Sequence, residues 1–206
     1  MIAPGMLLIF SGSRWLVQEV LDRDRVILVA PAKAGVPPIF GGDPGNIHDR
    51  VIERMFDVLE GQKRPIYLDA TALELLDEAR SNYTQLQFDP GRIAQLSDNA
   101  AVIATKTGSV RTTTLALALR ANGFTVQTHD GFLEVFGKDE SPELIDALSA
   151  LADGKEVDLF AHSPNLLFEK FHPHLTEDLL RRDALSSRLD AGCLSNLAAS
   201  ILGDQS

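Results

Sequence analysis

The side chains that could do acid–base, nucleophilic or metal chemistry are five histidines, one cysteine and 29 carboxylates. Metal sites need ligands at short, characteristic spacings. His172 and His174 have no such ligand set around them in the sequence. Cys193 lies in a helical stretch of small residues, a context more typical of a buried structural thiol than of a nucleophile. Paired carboxylates fall in turn sequences. The chain is therefore predicted to contain no catalytic residue, no metal site and no cofactor.

Nucleotide hydrolysis would need a phosphate-binding loop, and the chain contains no Gly-x-x-x-x-Gly-Lys-Ser/Thr sequence. The tetrapeptide 77–80, Asp-Glu-Ala-Arg, matches an acidic magnesium-binding box only in its letters. It lies within a run of helical apolar spacing, whereas such a box should follow a buried strand. We therefore expect the chain to have no ATPase activity of its own.

Binding to nucleic acid needs basic side chains for the phosphates and aromatic side chains for the bases. The candidates are Arg14, Trp15, Lys33, Lys106 and Arg111. Trp15 could stack on a base or anchor the core of a small sheet, and its place in a strand favours the core. Arg14 alternates to the opposite face of that strand and is the better candidate for an exposed contact.

Charge is distributed unevenly along the chain, whose net charge is -10. Residues 1–64 contain eight basic and eight acidic side chains, whereas residues 65–206 contain eleven basic and twenty-one acidic ones. No acid interrupts the stretch from Lys106 to Arg120. Any nucleic-acid surface is therefore expected in the first third or around Lys106 and Arg111, and its binding should be weak and non-specific.

A loop rich in proline and glycine, residues 31–45, precedes an amphipathic helix for which Asn46 is the expected N-cap. The segment Gly41 to Asn46 could present free N–H groups to a phosphate. It could equally be an ordinary capped loop, because Asp43 and Asp49 already supply negative charge there.

Apolar periodicity and turn residues predict a mixed fold. Three strands near 7–10, 14–20 and 26–30 read as an antiparallel meander, and Asp69 is the expected N-cap of a second helix. Residues 101–104 are strand-like, and a third helix should follow from about Arg111. Asp130-Gly131 between two alternating runs predicts a two-residue hairpin, and Pro142 should begin another helix.

These elements predict an α+β fold, with the meander and the later hairpin forming one small curved antiparallel sheet or barrel. Helices would pack on that sheet. The expected organisation is a sheet-plus-helices domain over 1–137 and a helical C-terminal subdomain over 138–206, packed on the first. One cysteine and the lack of a long apolar run predict a cytoplasmic chain without membrane contact.

Six segments, taken in order, resemble the region that follows the motor domains and winged helix of Lhr-type DEAD/DEAH-box helicases. They cover nearly the whole chain, as loosely spaced pieces rather than one diagnostic motif: G-S-R-W-L-V-Q-E-V (12–20), V-A-P-A-K-A-G-V-P-P-I-F-G-G (29–42), Y-L-D-A-T-A-L-E-L-L-D-E-A-R-S-N-Y (67–83), T-G-S-V-R-T-T-T-L-A-L-A-L (107–119), G-F-L-E-V (131–135) and F-E-K-F-H-P-H-L-T-E-D-L-L (168–180).

The resemblance implies a non-catalytic accessory domain that helps to hold single-stranded DNA or RNA or docks to helicase motor domains, in the same chain or a separate one. The chain departs from the family at Lys106 and Thr107, which stand where these helicases tend to carry a tryptophan before the glycine. Base stacking in that turn is therefore not expected, although Lys106 can still contact a phosphate. The alternative is an acidic protein-interaction module with no nucleic-acid role, and a weaker one is an enzyme with an unrecognised site.

Overall fold

The computed structural model describes residues 3–10, 13–21, 25–32, 45–88, 91–137, 142–162 and 166–203. They belong to two compact units, Met1–Gly45 and Asn46–Ser206. The helices following residue 137 share a hydrophobic core with the sheet that precedes them. The structural division after Gly45 therefore does not coincide with the one expected after residue 137.

The first unit is the expected meander. Its three antiparallel strands, in the order β1-β2-β3, are β1 (Leu7–Phe10), β2 (Ser13–Leu21) and β3 (Val26–Pro31). Leu16 lies opposite both Leu7 and Ala30, and the β2–β3 register shifts between Val17 and Glu19. Among the side chains of this sheet that the structure describes, Val17 is buried, with a relative exposure of 1%.

The second unit contains a four-stranded antiparallel sheet and the helices of the described chain. In order, its elements are α1 (Asp49–Glu60), α2 (Ala70–Gln85), β4 (Ile93–Ser97), β5 (Ala100–Ala104), α3 (Ser109–Ala121), β6 (Thr125–His129), β7 (Phe132–Phe136), α4 (Pro142–Ala152), α5 (Glu177–Ser187) and α6 (Leu194–Leu202). Single 3₁₀ turns occur at His172–His174 and Ala191–Cys193. The strand order is β4-β5-β7-β6.

The α+β class is confirmed, but the single sheet or barrel is wrong, because the meander and the hairpin belong to two separate open sheets. The sequence pattern did not reveal β4, which pairs with β5 and lies at one edge of the second sheet. Its buried residue is the small Ala94, while Leu96 is 49% exposed. Ala94 and Leu96 would face the same side of a regular strand, but the register shift between Gln95 and Ser97 interrupts the apolar-inside alternation that identifies a strand.

The predicted hairpin turn at Asp130 and Gly131 is confirmed, since His129 pairs directly with Phe132. Gly131 has a φ of 77° and Asp130 does not have a positive φ. The turn is therefore not of type I′, in which both central residues would have positive φ.

The main core lies on one face of the second sheet. Ile103 and Leu133 point into it from neighbouring strands, beneath α3, α4 and α6. The completely buried side chains there come from both sheet and helices: Ile103, Leu115, Leu119, Leu133, Leu148 and Ile201. Burial of each such side chain contributes roughly 1.5–3 kcal/mol, so this cluster is the main source of stability in the unit.

A smaller core joins α1 and α2 to the strand ends at the hairpin turn. Ile52 and Phe56 of α1 are each 2% exposed and pack with Ala104. The Phe56 ring lies 4.9 Å from that of Phe132 and 5.9 Å from that of Tyr83. This aromatic cluster fixes the position of α1 and α2 beside the turn.

The starts of α1 and α2 follow ordinary capping chemistry. The expected N-cap at Asn46 is wrong, because α1 begins two residues later and His48 Nδ1 accepts from the Arg50 N–H at 3.1 Å. The expected cap of α2 is confirmed, since Asp69 Oδ1 accepts from the Ala72 N–H at 2.8 Å.

Candidate functional site

Lys106 lies at the centre of a charged and aromatic cluster in the second unit. Its ammonium donates to Glu60 Oε1 and lies 5.3 Å from the centre of the Phe56 ring. The Tyr83 hydroxyl donates to the same Glu60 oxygen at 2.6 Å. Partial burial acts to raise the pKa of the Glu60 carboxyl, but the hydrogen bonds from Lys106 and Tyr83 outweigh it, and the net shift is downward. Glu60 is therefore a carboxylate that holds Lys106 in place.

The backbone also determines where Lys106 points. Lys106 follows β5 and has a left-handed conformation, with a φ of 55°. Its backbone N–H donates to Gly131 O at 3.3 Å. A left-handed conformation costs a non-glycine residue about 1–2 kcal/mol. The bond to the hairpin turn helps to hold this conformation, so the ammonium is presented from a fixed position.

Arg92 lies beside this cluster and is held by its own backbone. Its N–H donates to Ile201 O at 2.9 Å, and its carbonyl accepts from the Ala104 N–H at 2.8 Å. Gly91 makes the close approach to α6 possible, because a Cβ there would lie 2.2 Å from Ile201 O. The Arg92 guanidinium donates through Nη1 to Thr105 O at 3.1 Å.

The Arg92 charge is not neutralised by an ion pair. Within the described parts of the chain, no carboxylate oxygen lies within 4.0 Å of this half-buried guanidinium. Burial lowers the pKa of Arg92, the Glu60 carboxylate opposes that effect, and the net shift is downward. Arginine nevertheless stays protonated in proteins. Arg92 is therefore a positioned cation with unused N–H donors.

Both cations open onto a cleft of about 720 Å³, here named the central cleft. The aromatic side chains Tyr83 and Phe88 also line it, with ring centres 5.3 Å apart. Its described charged residues comprise four cations and two carboxylates, a net charge of +2: Arg64, Arg80, Arg92, Lys106, Glu60 and Asp77. In a chain with a net charge of -10, this is a local reversal of sign.

A second cleft of about 770 Å³, the α3 cleft, shares Glu60, Arg92 and Lys106 with the first. Its described charged residues comprise three cations and four carboxylates, a net charge of -1: Arg92, Lys106, Arg111, Glu53, Asp57, Glu60 and Asp190. A polyanion is therefore favoured in the central cleft over the α3 cleft.

The predicted contact Arg111 lies in the α3 cleft between two carboxylates. Its guanidinium is 3.1 Å from Asp49 Oδ2 and 3.1 Å from Asp190 Oδ2. The hydrogen bond with Asp190 and the charge of Asp49 raise the pKa of Arg111. These ion pairs compete with any phosphate, so the predicted role of Arg111 stays a prediction without added support.

The remaining predicted contacts belong to the first unit or lie outside the described residues. Arg14 is exposed on β2, opposite Ile9. Trp15 is half-buried, opposite Leu8 and Pro31, and its two interpretations stay open. Lys33 and residues 41–44 of the proposed phosphate-binding loop lie outside the described residues.

Sequence reasoning missed Arg92, Arg80, Arg64 and Tyr83 as site residues. One signal was available: Asp77, Arg80 and Thr84 recur at helical spacing and form a polar stripe on α2. Arg64 pairs with Asp77 at 2.5 Å, and Arg80 donates to Val58 O at 2.9 Å. The polar stripe alone did not predict that α2 packs beside α1, because that packing depends on long-range contacts.

The described residues contain neither a metal-binding cluster nor a membrane-spanning helix. No group of three or more His, Cys, Asp or Glu side chains there is arranged to hold a metal ion. None of the described helices combines the length and apolar character required to cross a bilayer.

Comparisons with protein-family models, with curated proteins and with solved structures found no match. The resemblance to Lhr-type helicases therefore stays an expectation from the sequence segments quoted above, and the functional interpretation depends on the chemistry of the central cleft.

Proposed function

We propose that the chain is a non-catalytic accessory part of an Lhr-type helicase and that its central cleft binds the backbone of single-stranded nucleic acid. The observation that carries this proposal is Arg92, whose guanidinium is hydrogen-bonded to Thr105 O and has no carboxylate partner among the described residues. A guanidinium with free donors is suited to a phosphate oxygen, with which it can form a bidentate, charge-assisted pair.

The surroundings of Arg92 fit a single strand better than a small anion. Proteins that hold single strands combine a positive groove with aromatic side chains. The central cleft has a net charge of +2 among its described residues and contains the Tyr83–Phe88 pair. Its volume of about 720 Å³ is far larger than one phosphate requires.

The expected binding is weak, salt-dependent and independent of base sequence. Phosphate contacts carry no sequence information, and the net charge of -10 opposes the approach of a polyanion. Glu60 competes directly with a phosphate for Lys106. These properties fit a surface that supports a strand already engaged by motor domains.

The proposal assigns ATP hydrolysis to motor domains and not to these residues. The sequence has no phosphate-binding loop, and residues 77–80 lie within α2 rather than after a strand. Docking to the motor domains, in the same or a separate chain, is the second part of the proposed role. Purified by itself, the chain is expected to show no ATPase activity stimulated by nucleic acid.

The alternative proposal is an acidic protein-interaction module. It is favoured by the net charge and by the ion pairs that already neutralise Lys106 and Arg111. Under this alternative, the chain would bind a partner protein and would show no affinity for oligonucleotides at low salt.

The two proposals are separated by fluorescence anisotropy with labelled oligo(dT) and oligo(rU) of about 16 nucleotides at about 50 mM salt. The helicase proposal predicts binding that Arg92→Gln weakens by about 1.5–3 kcal/mol, or roughly 10- to 150-fold in Kd. Lys155→Ala removes the same charge from an exposed side chain outside both clefts and should bind like the wild type.

A melting curve for each variant should show that Arg92→Gln is folded. If the wild-type chain binds neither oligonucleotide, the interaction-module proposal is the better one. If Arg92→Gln and Lys155→Ala bind equally well, the central cleft is not the binding surface.

A further inference from the structure

The connection between α1 and α2 exposes two apolar side chains at the tip of a turn. Leu68 N–H donates to Pro65 O at 3.4 Å, so Ile66 and Tyr67 are the two central residues of this turn. Ile66 is 102% exposed and Tyr67 is 84% exposed. Because neither side chain is buried, the hydrophobic core does not explain their presence.

A cavity of about 530 Å³, the loop cavity, lies against this turn. Its described lining includes Tyr67 and three cations, Arg54, Lys63 and Arg80, against the single carboxylate of Asp57. Arg54 is paired with Asp57 at 2.7 Å. Lys63 and Arg80 have no carboxylate within 4.0 Å among the described residues, so the loop cavity is positively charged beside an exposed aromatic ring.

The loop cavity adjoins the central cleft. Arg80 lines both, and the consecutive residues Lys63 and Arg64 each line one of them. The α3 cleft, which shares Lys106 with the central cleft, has a net charge of -1 among its described residues. A polyanion that occupies the central cleft is therefore favoured to continue toward Tyr67 and not toward the α3 cleft.

We infer that Tyr67 is a base-stacking platform where single-stranded nucleic acid passes out of the central cleft; this inference rests on the function proposed above. A tyrosine ring can stack on any base, because every base has a π-face. Lys63 and Arg80 would meet the neighbouring phosphates. Ile66, in the same turn, has no ring to stack and serves as the matched comparison.

A single strand fits this surface better than a partner protein does. Protein interfaces have an apolar centre that is depleted of charge. Here Ile66 and Tyr67 line the loop cavity together with three cations and one carboxylate, so its apolar side chains lie among charges. Cations beside an exposed aromatic ring are typical of surfaces that bind single-stranded nucleic acid.

The test uses the full chain, labelled oligo(dT) and oligo(rU), and the variants Tyr67→Ala, Tyr67→Phe and Ile66→Ala. Tyr67→Ala should weaken binding about 5- to 100-fold, the range for loss of one stacked base. Tyr67→Phe keeps the ring and should stay within about twofold of the wild type. Ile66→Ala should also bind normally. Melting temperatures should not change, because both side chains are exposed.

Each contrary outcome has a distinct meaning. If Tyr67→Ala binds like the wild type while Arg92→Gln binds more weakly, the stacking inference is overturned and the proposed binding at the central cleft is supported. If Ile66→Ala weakens binding as much as Tyr67→Ala, the turn acts as an apolar patch of the kind a protein partner uses, and the inference is overturned. Equal losses in Tyr67→Phe and Tyr67→Ala would assign the contact to the hydroxyl instead of the ring. If the wild-type chain does not bind, both proposals are overturned.

Discussion

Replacement of Gly131 by alanine tests whether α1 packs against the hairpin turn that positions Lys106. Gly131 has a φ of 77°, and a Cβ at this position would lie 2.6 Å from Ile52 Cγ2 and 2.9 Å from Phe56 Cε2. Ile52 and Phe56 are each 2% exposed and cannot move away into solvent. The substitution therefore introduces backbone strain and a steric clash together.

The two costs can be separated with a second glycine. Gly123 has a φ of 95°, but a Cβ there would have no neighbour within 4 Å. Gly123→Ala should therefore cost only the backbone strain, about 1–2 kcal/mol. Gly131→Ala should cost that amount plus overpacking of about 1–3 kcal/mol, which gives a total of about 2–5 kcal/mol.

Urea denaturation followed by helical circular dichroism measures the difference, because every described helix lies in the unit Asn46–Ser206. The expected result is a lower midpoint for Gly131→Ala than for Gly123→Ala. Gly131→Val adds a β-branched side chain and should be at least as destabilising as Gly131→Ala. Equal midpoints for the two alanine variants would refute the packing of α1 on the turn.

Three further predictions concern single side chains. Glu60→Gln should tighten oligo(dT) binding because it releases Lys106 from its carboxylate partner. The exposed control Glu143→Gln should change binding less, and equal effects would mean that net charge alone causes the tighter binding. Asp69→Ala should lower the free energy of unfolding by about 1 kcal/mol, whereas Asp69→Asn should retain the cap. If urea denaturation shows the same free energy of unfolding for Asp69→Ala as for the wild type, the cap is contradicted. Partial burial raises the pKa of Cys193 to about 11. Alkylation of the native chain near pH 8 should therefore be much slower than in urea and should accelerate as the pH approaches that value, and similar rates in both states would argue against the raised pKa.

Local sequence chemistry identified the parts of the fold that depend on neighbouring residues. The meander, the cap at Asp69 and the two-residue turn at Asp130-Gly131 all follow from short-range steric and hydrogen-bonding rules, and all are confirmed. The arrangement of strands into two sheets was not predictable in this way. It depends on which strands pair with one another. The sequence did not reveal β4, which pairs with β5, because its buried residue is the small Ala94 and its apolar Leu96 is exposed.

The candidate site shows the same limit more strongly. Lys106 was identifiable because it begins a stretch without acids that extends to Arg120. Its partner Glu60 is 46 residues away in the chain and was not predicted. Arg92 gave no signal at all, because its importance comes from contacts with Ile201, Ala104 and Thr105 that only the tertiary structure creates. Long-range contacts therefore determine which of the 19 basic side chains are free to bind a ligand.

The most direct test of the central cleft is the salt dependence of oligo(dT) binding by the wild-type chain and by Arg92→Gln. The logarithm of Kd would be measured against the logarithm of salt concentration between about 50 mM and about 200 mM. If Arg92 contacts a phosphate, the slope for Arg92→Gln should be smaller in magnitude by about one, while Lys155→Ala should keep the wild-type slope. Identical slopes for all three proteins, or no binding at the lowest salt concentration, would contradict a nucleic-acid role for the central cleft.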